Sequence, residues 1–504
     1  MSAAPGTTVA VAAIDLGATS GRVMVGHVGP GDLRIRQVAR FANGPVALPD
    51  GLHWNTQGLY RAALDGLRDA VTWESSVGSV GIDSWAVDYA LLRAGRTLGE
   101  PFHYRDERNE PAAGRVHETV PFTELYARNG LQFLPFNTLY QLAAEDPGVL
   151  GIADRMLLVP DLLAFWLTGR EVAERTNAST TGLLDVATRE WDLPLVERLG
   201  LDAALLPELV EAGTAIGPLR AEVAAHTRMR DDAQVVAIGS HDTASAVVAA
   251  PMRETGGAYI SCGTWGLVGV ETERPVLTDA AREANFTNEG GVDGRTRFLH
   301  NVMGLWLLSE SIREWERGGD EVPGLHVGAV ELGHGLRGDA DAPRDAVAGD
   351  GLDAVLGAVQ DALDEGEPFE APGDMPARIA QWCERSGQRV PSTPAQITRT
   401  IIESLAQAFA DAVATASSLA SQPVDTIHMV GGGALNALLC QRTADRSGLR
   451  VVAGPVEATA LGNVLVQGRA LGAAPGSLES MRELVRTAFE PRTYEPRHFD
   501  NSGG

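Results

Sequence analysis

The sequence predicts an α/β protein built from two related halves, and three observations point there. An apolar run from Val9 to Ile14 meets a small-residue turn and a second apolar run, Val23 to Val28. The same strand–turn–strand pattern returns about 245 residues later, as Gly257 to Ser261 and Leu267 to Glu271 around Cys262-Gly-Thr-Trp-Gly266. Elsewhere, short β-type runs alternate with stretches of helical periodicity, the pattern of strands joined by helices.

Taken in order, the first hairpin is followed by a polar strand region near Leu33 to Phe41 and a helix from about Thr56 to Val71. Ser79-Val-Gly-Ile82 reads as a buried strand, and 108–150 as mostly helical. Strand Gln234 to Ile238 runs into Gly239-Ser-His-Asp-Thr-Ala-Ser-Ala246, a loop opening a helix. The Gly-, Ala- and Asp-rich stretch 331–367 reads as a solvated insertion. A long helix then runs to about Ala420, with Thr393 as N-cap and Pro394 at its first position. Its Ile401, Ile402, Leu405, Phe409 and Val413 fall on one side. Strand Asp425 to Val430 leads into Gly431-Gly-Gly433, and from about Thr487 the chain reads as a loose polar tail. The expected division is 1–246 and 247–504.

Composition narrows the function. The 504 residues suit about two to four domains. A formal charge of −25 repels phosphate backbones and anionic lipid, so neither nucleic acid nor membrane is an expected partner. The chain contains no lysine; all 41 basic residues are arginine. A P-loop lysine, a pyridoxal-phosphate Schiff base and the protein-kinase strand lysine are thereby excluded. Phosphate handling must rest on backbone N–H groups, arginine and metal. Cys262, Cys383 and Cys440 are too few and too scattered for a disulfide scaffold or zinc site, and fit a reducing cytoplasm. No basic leader and no long uninterrupted apolar span is expected. The sequons at Asn177 and Asn285 read as chance matches without a secretion signal.

Several motifs carry chemistry. In Asp15-Leu-Gly-Ala-Thr-Ser-Gly-Arg22, the glycines let backbone N–H groups approach an anion. Thr19 and Ser20 add hydroxyl donors, Arg22 adds charge, and Asp15 can hold a hydrated magnesium ion. A plain hairpin turn with a capping Asp fits equally well. Gly263-Thr264 reads as an ordinary turn unless a partner joins it. Gly431-Gly-Gly-Ala-Leu-Asn436 serves either close approach to a phosphorylated ligand or close strand–helix packing. In Ser240-His-Asp-Thr243, Asp242 either accepts a proton from a substrate hydroxyl or caps the next helix. Three adjacent residues cannot form a Ser–His–Asp relay, whose members converge from separate segments. Asp83-Ser-Trp85-Ala86-Val-Asp88, His103-Tyr-Arg-Asp106 and Phe133-Leu-Pro-Phe-Asn137 mix aromatics with polar groups, as sugar-binding surfaces and ordinary core edges both do. The Gly333-His-Gly-Leu-Arg-Gly338 match to a dinucleotide loop lacks its strand and helix. Asp339, Asp341 and Asp345 are interrupted by Pro343 and lack the glutamate of a calcium loop.

Together these motifs resemble the FGGY family of carbohydrate kinases. The resemblance is carried by Asp15 to Met24, Leu131-Gln-Phe-Leu-Pro-Phe-Asn-Thr-Leu-Tyr-Gln-Leu142, Ser240 to Ala246, Gly263-Thr-Trp265, Thr287-Asn-Glu-Gly-Gly291, Asn301-Val-Met-Gly-Leu-Trp306, Val430 to Gly433 and Val452 to Glu457. These appear in family order over nearly the whole chain. The Leu-Pro-Phe-Asn-Thr-Leu-Tyr and Ser-His-Asp-Thr-Ala-Ser-Ala runs are specific to the branch acting on L-rhamnulose.

The resemblance implies two ribonuclease H-like domains of actin/hexokinase type with a cleft between them. The sugar binds the N-terminal domain and ATP lies across the cleft, with magnesium as cofactor. ATP contacts carry over to Ala18, Thr19, Ser20, Gly21, Arg22, Thr264, Ser309 and Gly432. Substrate contacts carry over to Ala86, His241, Asp242, Thr243 and Asn301, with Asp242 as catalytic base. Ala86 stands where glycine is usual, and Ser309 where glutamine is usual. The implied activity is phosphorylation of L-rhamnulose at O1 by a cytoplasmic monomer or homodimer. A kinase for L-fuculose or D-xylulose, and a non-catalytic sugar or nucleotide sensor, are the competing readings.

Overall fold

The computed structural model describes residues 7–318, 369 and 373–497. They form two compact units. The first comprises Met1–Ala249, Glu271–Phe298 and Ala458–Ala488; the second comprises Ala250–Val270, Leu299–Glu457 and Phe489–Gly504. This division by contacts cuts the chain in several places, whereas the sequence suggests one cut after 246.

The first unit is built on β1 (Val9–Leu16), β2 (Ser20–Gly29), β3 (Asp32–Ala42), β4 (Ser79–Ser84), β5 (Ala215–Pro218) and β6 (Gln234–Val236). They form a six-stranded sheet in the order β5-β6-β4-β1-β2-β3. β1 pairs antiparallel with β2 and parallel with β4; β4 pairs parallel with β6, and β6 antiparallel with β5. In β1, all residues after Val9 are buried. A continuous apolar run suits a central strand covered on both faces. Helix Thr56–Trp73 lies against β2 and β3, and helix Ala458–Ala470 against β1, β2 and β4. The first of these starts where Asn55 accepts from the backbone N–H of Gly58.

In the second unit, β7 (Gly257–Cys262) pairs antiparallel with β8 (Trp265–Thr272) and parallel with β9 (Thr426–Val430). β9 pairs parallel with β10 (Arg450–Ala453), which pairs antiparallel with β11 (Arg492–Tyr494). The succession antiparallel, parallel, parallel, antiparallel matches β2-β1-β4-β6-β5 of the first unit. The repeat read from two hairpins is thus a repeat of topology. The long helix spans Pro394–Leu419, and the Thr393 hydroxyl accepts from the backbone N–H of Gln396 at 3.2 Å.

The loose tail expected from about 487 is corrected at β11, whose Tyr494 is buried against β10. The insertion at 331–367, with its Gly333–Gly338 pattern and Asp339, Asp341 and Asp345, lies outside the described residues.

Candidate active site

In the first unit, the carboxyl ends of the parallel strands β1 and β4 and the loop after β6 converge. This edge of an open α/β sheet is where ligands bind as a rule. Asp15, near the end of β1, lies opposite Arg22 on β2 and beside Asp83 on β4. The Arg22 Nε donates to Asp15 Oδ2 at 3.1 Å. Asp83 is fully buried. The Asn463 amide donates to its Oδ2 at 2.6 Å, Gln467 donates to Asn463 Oδ1 at 2.6 Å, and Ser79 donates to Gln467 Oε1 at 2.6 Å. Asp83 Oδ1 is buried without a hydrogen-bond partner. Burial, with Asp15 beside it, holds the Asp83 carboxyl well above the usual range.

The loop after β6 delivers Ser240, His241 and Asp242 to the same edge, and Asp242 opens helix Asp242–Ala249. Ser84 N donates to Ser240 O at 2.9 Å, and Ser84 bridges His241 in parallel fashion. Buried Glu174 accepts from Ser240 N at 3.0 Å and from its hydroxyl at 3.1 Å, which pins the loop from behind. Asp242 keeps 34% of its side-chain surface exposed, enough for a substrate hydroxyl to reach it. Its Oδ1 accepts from the Thr243 hydroxyl at 3.1 Å and lies 3.4 Å from His241 Nε2. The enclosing protein raises the Asp242 carboxyl; His241 opposes this and Asp15 adds to it. The Asp242 side chain thus accepts from its neighbour Thr243 and keeps an accessible carboxylate.

His241 is itself held. Its Nδ1 lies 3.2 Å from Glu289 Oε2 and 3.0 Å from Arg297 Nη2, and that arginine is wholly buried. Arg297 and Glu289 are 3.0 Å apart. Burial alone would raise the Glu289 carboxyl, but Arg297 and His241 together bring it below the usual range.

At its Asp88 end, the Trp85-to-Asp88 segment is a core edge. Asp88 offers nothing to a sugar hydroxyl. Its Oδ2 accepts from Trp54 Nε1 at 2.6 Å, Trp85 Nε1 at 3.0 Å and Tyr104 N at 3.2 Å, and its Oδ1 from the Gln141 amide at 2.8 Å. Burial pushes its carboxyl up to about 7 against these bonds. Trp54 stacks on Trp85 and His103, with ring centroids 4.0 and 4.2 Å apart. Ala86 is half-buried in the turn between Trp85 and Val87.

The turn Gly17 to Ser20 between β1 and β2 is closed by Gly17 N donating to Ser20 O at 2.9 Å. The Asn43 amide donates to Gly17 O at 2.8 Å. Ala18, Thr19 and Ser20 are part-exposed and Gly21 is buried, so the turn presents a small, partly open rim.

In the second unit, the equivalent turn holds Thr264. Leu305 N donates to Gly263 O at 2.9 Å and Gly304 N to Thr264 O at 3.2 Å, which ties this turn to helix Trp306–Gly318, where Ser309 is buried. Asn301 lies half-buried on the preceding strand, Thr296–Met303. Gly431 has φ +83°, and a Cβ there would sit 2.8 Å from Cys262 O; one on Gly433 would sit 2.4 Å from Cys262 Sγ. Side chains are thus excluded where the glycine loop crosses β7. Gly432 between them faces open space. Thr264 and Gly432 therefore belong to one neighbourhood, the carboxyl ends of β7 and β9.

Among the described residues, no group of three or more His, Cys, Asp or Glu side chains could hold a metal ion. Magnesium needs no such cage, since it keeps waters and takes one or two carboxylates with substrate phosphates. Asp15, a buried hard-oxygen donor beside the unpartnered Asp83 Oδ1, fits that use.

Family models decide the assignment. The N-terminal domain model of the FGGY family of carbohydrate kinases matches residues 10–249, and the C-terminal domain model matches 258–471. The chain belongs to the FGGY family of carbohydrate kinases. It is 36% identical over 489 residues to a rhamnulokinase of Bacteroides thetaiotaomicron, covering 96% of this chain and 95% of that one. It is 38% identical over 492 residues to a rhamnulokinase of Klebsiella pneumoniae, covering 95% and 94%. Among solved structures, a ligand-bound xylulose kinase from Lactobacillus acidophilus matches with a TM-score of 0.73 at 15% identity, over 97% of this chain and 94% of that one. Plasmodium falciparum glycerol kinase with ADP matches with a TM-score of 0.72 at 16% identity, over 99% and 96%. These likenesses establish the α/β fold of FGGY sugar kinases. No described helix is long and apolar enough to cross a membrane.

Sequence reading did not assign roles to Glu289, Arg297, Glu174, Asn463 or Gln467 in this FGGY kinase. Glu289 lies within the family motif Thr287-Asn-Glu-Gly-Gly291, a usable signal. The others carry none: a buried arginine or glutamine declares itself only through its spatial partners.

Proposed function

We propose that the chain transfers the γ-phosphoryl group of ATP to the O1 hydroxyl of L-rhamnulose, giving L-rhamnulose 1-phosphate and ADP. The observation that carries this reading is the part-exposed Asp242 carboxylate beside His241, at the carboxyl edge that also bears Asp15. The choice of sugar is supported by relatives named rhamnulokinase at 35–38% identity over nearly full length.

Asp242 accepts the O1 proton as that oxygen attacks phosphorus. The new O–P bond forms while the bond to the bridging oxygen breaks, and ADP leaves with its electron pair. Ala86, His241, Thr243 and Asn301 orient the sugar. Ala18, Thr19, Ser20, Gly21 and Arg22, with Thr264, Ser309 and Gly432, hold the nucleotide. Asp15 would hold a magnesium ion through water, and the chemistry supplied there is neutralisation of phosphate charge. Such transfer needs positioning and electrostatics more than covalent help, which a lysine-free site provides.

A second reading keeps the kinase and changes the ketose, to L-fuculose or D-xylulose. Ala86 favours it, because a methyl group in place of hydrogen reshapes a pocket by about 1–3 kcal/mol of discrimination.

ADP release with Mg·ATP is measured against L-rhamnulose, L-fuculose, D-xylulose and glycerol, with kcat/KM expected highest for L-rhamnulose. Asp242→Asn should lower kcat by about 10² to 10⁴ while calorimetry still shows sugar binding. A different preferred sugar discards the L-rhamnulose reading, and near-normal turnover of the variant discards Asp242 as base.

A further inference from the structure

We infer that Asp88 is a positioning residue for the sugar subsite: its carboxylate locks the Trp85–Ala86–Val87 turn onto Trp54, Tyr104 and Gln141, and Ser84, just before the turn, is bonded to the loop that carries His241 and Asp242. The inference rests on the reading that Ala86 contacts the sugar. Four groups converge on the carboxylate, namely two indole N–H groups, the backbone N–H of Tyr104 and the Gln141 amide, and all four are donors. One of the indoles belongs to Trp85, immediately before Ala86. The other, from Trp54, stacks on the Trp85 ring at 4.0 Å.

The turn is closed on itself by Asp88 N donating to Ala86 O at 2.9 Å, with Val87 at φ +68°. A β-branched residue in the left-handed region is strained and persists only where its surroundings hold it. Here the holding groups are visible: the Thr138 hydroxyl donates to Val87 O at 2.6 Å, and Gln141 reaches both Phe136 O and Asp88. Directly before the turn, Ser84 is bonded to Ser240. Any shift of the turn therefore moves Ala86 relative to His241 and Asp242.

Asparagine has the same shape but cannot do the same work. Its amide N–H2 must face either the indole donors or the Gln141 donor. Asp88→Asn is expected to raise the KM for the sugar about tenfold or more, with kcat and the KM for ATP changed less than about threefold. Adding Gln141→Leu removes the opposing donor and should recover part of the loss, a coupling that a general loss of stability would not produce. Unchanged sugar KM in Asp88→Asn, or a double variant no better than the single one, overturns the inference. Should Asp88→Asn fail to fold, Trp85→Phe carries the test. It removes one indole donor and keeps a ring, so a raised sugar KM is expected and an unchanged one overturns the inference.

Ala86→Leu in the same assay separates the two levels. If it leaves the sugar KM unchanged, the assignment of Ala86 to the sugar fails. If it raises KM while Asp88→Asn does not, only the role of Asp88 fails.

Discussion

Asp242 sits between opposing influences. The surrounding protein and Asp15 raise its proton affinity, and His241 lowers it. As a base it must be ionised to act, so the acid limb of the kcat–pH profile is expected above the ordinary aspartate range. Removing His241 takes away the opposing influence. In His241→Asn, proton affinity should rise and the acid limb should move to higher pH, read from kcat at saturating sugar. A limb that stays or moves down would show that His241 does not act on Asp242. Much of this residue-scale detail was legible beforehand, because Ser240-His-Asp-Thr243 is contiguous. The Glu289–Arg297 pair behind His241 was not, since it arrives from two other strands.

At the scale of elements, helix Ala458–Ala470 shows how close packing places a site. Gly462 lies against the backbone of helix Asp242–Ala249, and a Cβ there would sit 1.8 Å from Ser245 O. One residue later, Asn463 reaches Asp83, and Gln467 reaches Ala12 O at 2.9 Å. Backbone cannot yield as the end of a side chain can, so Gly462→Ala is expected to destabilise by about 1–3 kcal/mol despite the better helix propensity of alanine. Urea unfolding measures it, and a variant as stable as the parent would refute the close packing. The long helix Pro394–Leu419 behaved differently. Its cap, its first-turn proline and its apolar side were all readable, because each is local. The tail was misread, because β11 gains its structure from pairing with β10, a partner some forty residues earlier in the chain.

For the whole molecule, the absence of lysine is the most unusual constraint. All 41 basic residues are arginines, and the net charge is −25. A lysine-directed acylating reagent therefore has no side-chain amine to attack, and full treatment should leave turnover unchanged in the ADP-release assay. Inactivation on such treatment would mean that another nucleophile is essential. Both units share one strand succession.

By itself the sequence determined the α/β class, the two hairpins, the family and the residues that form local motifs, because turns, caps and short strand–turn–helix signals are written in neighbouring residues. Only the tertiary structure decided that Asp88 serves two indoles and not a sugar hydroxyl, that Asp83 is buried on Asn463, and that Glu289 and Arg297 hold His241. The reason is physical: a buried polar group must find its partner wherever the fold brings one, and that partner is set by distance in space and not along the chain.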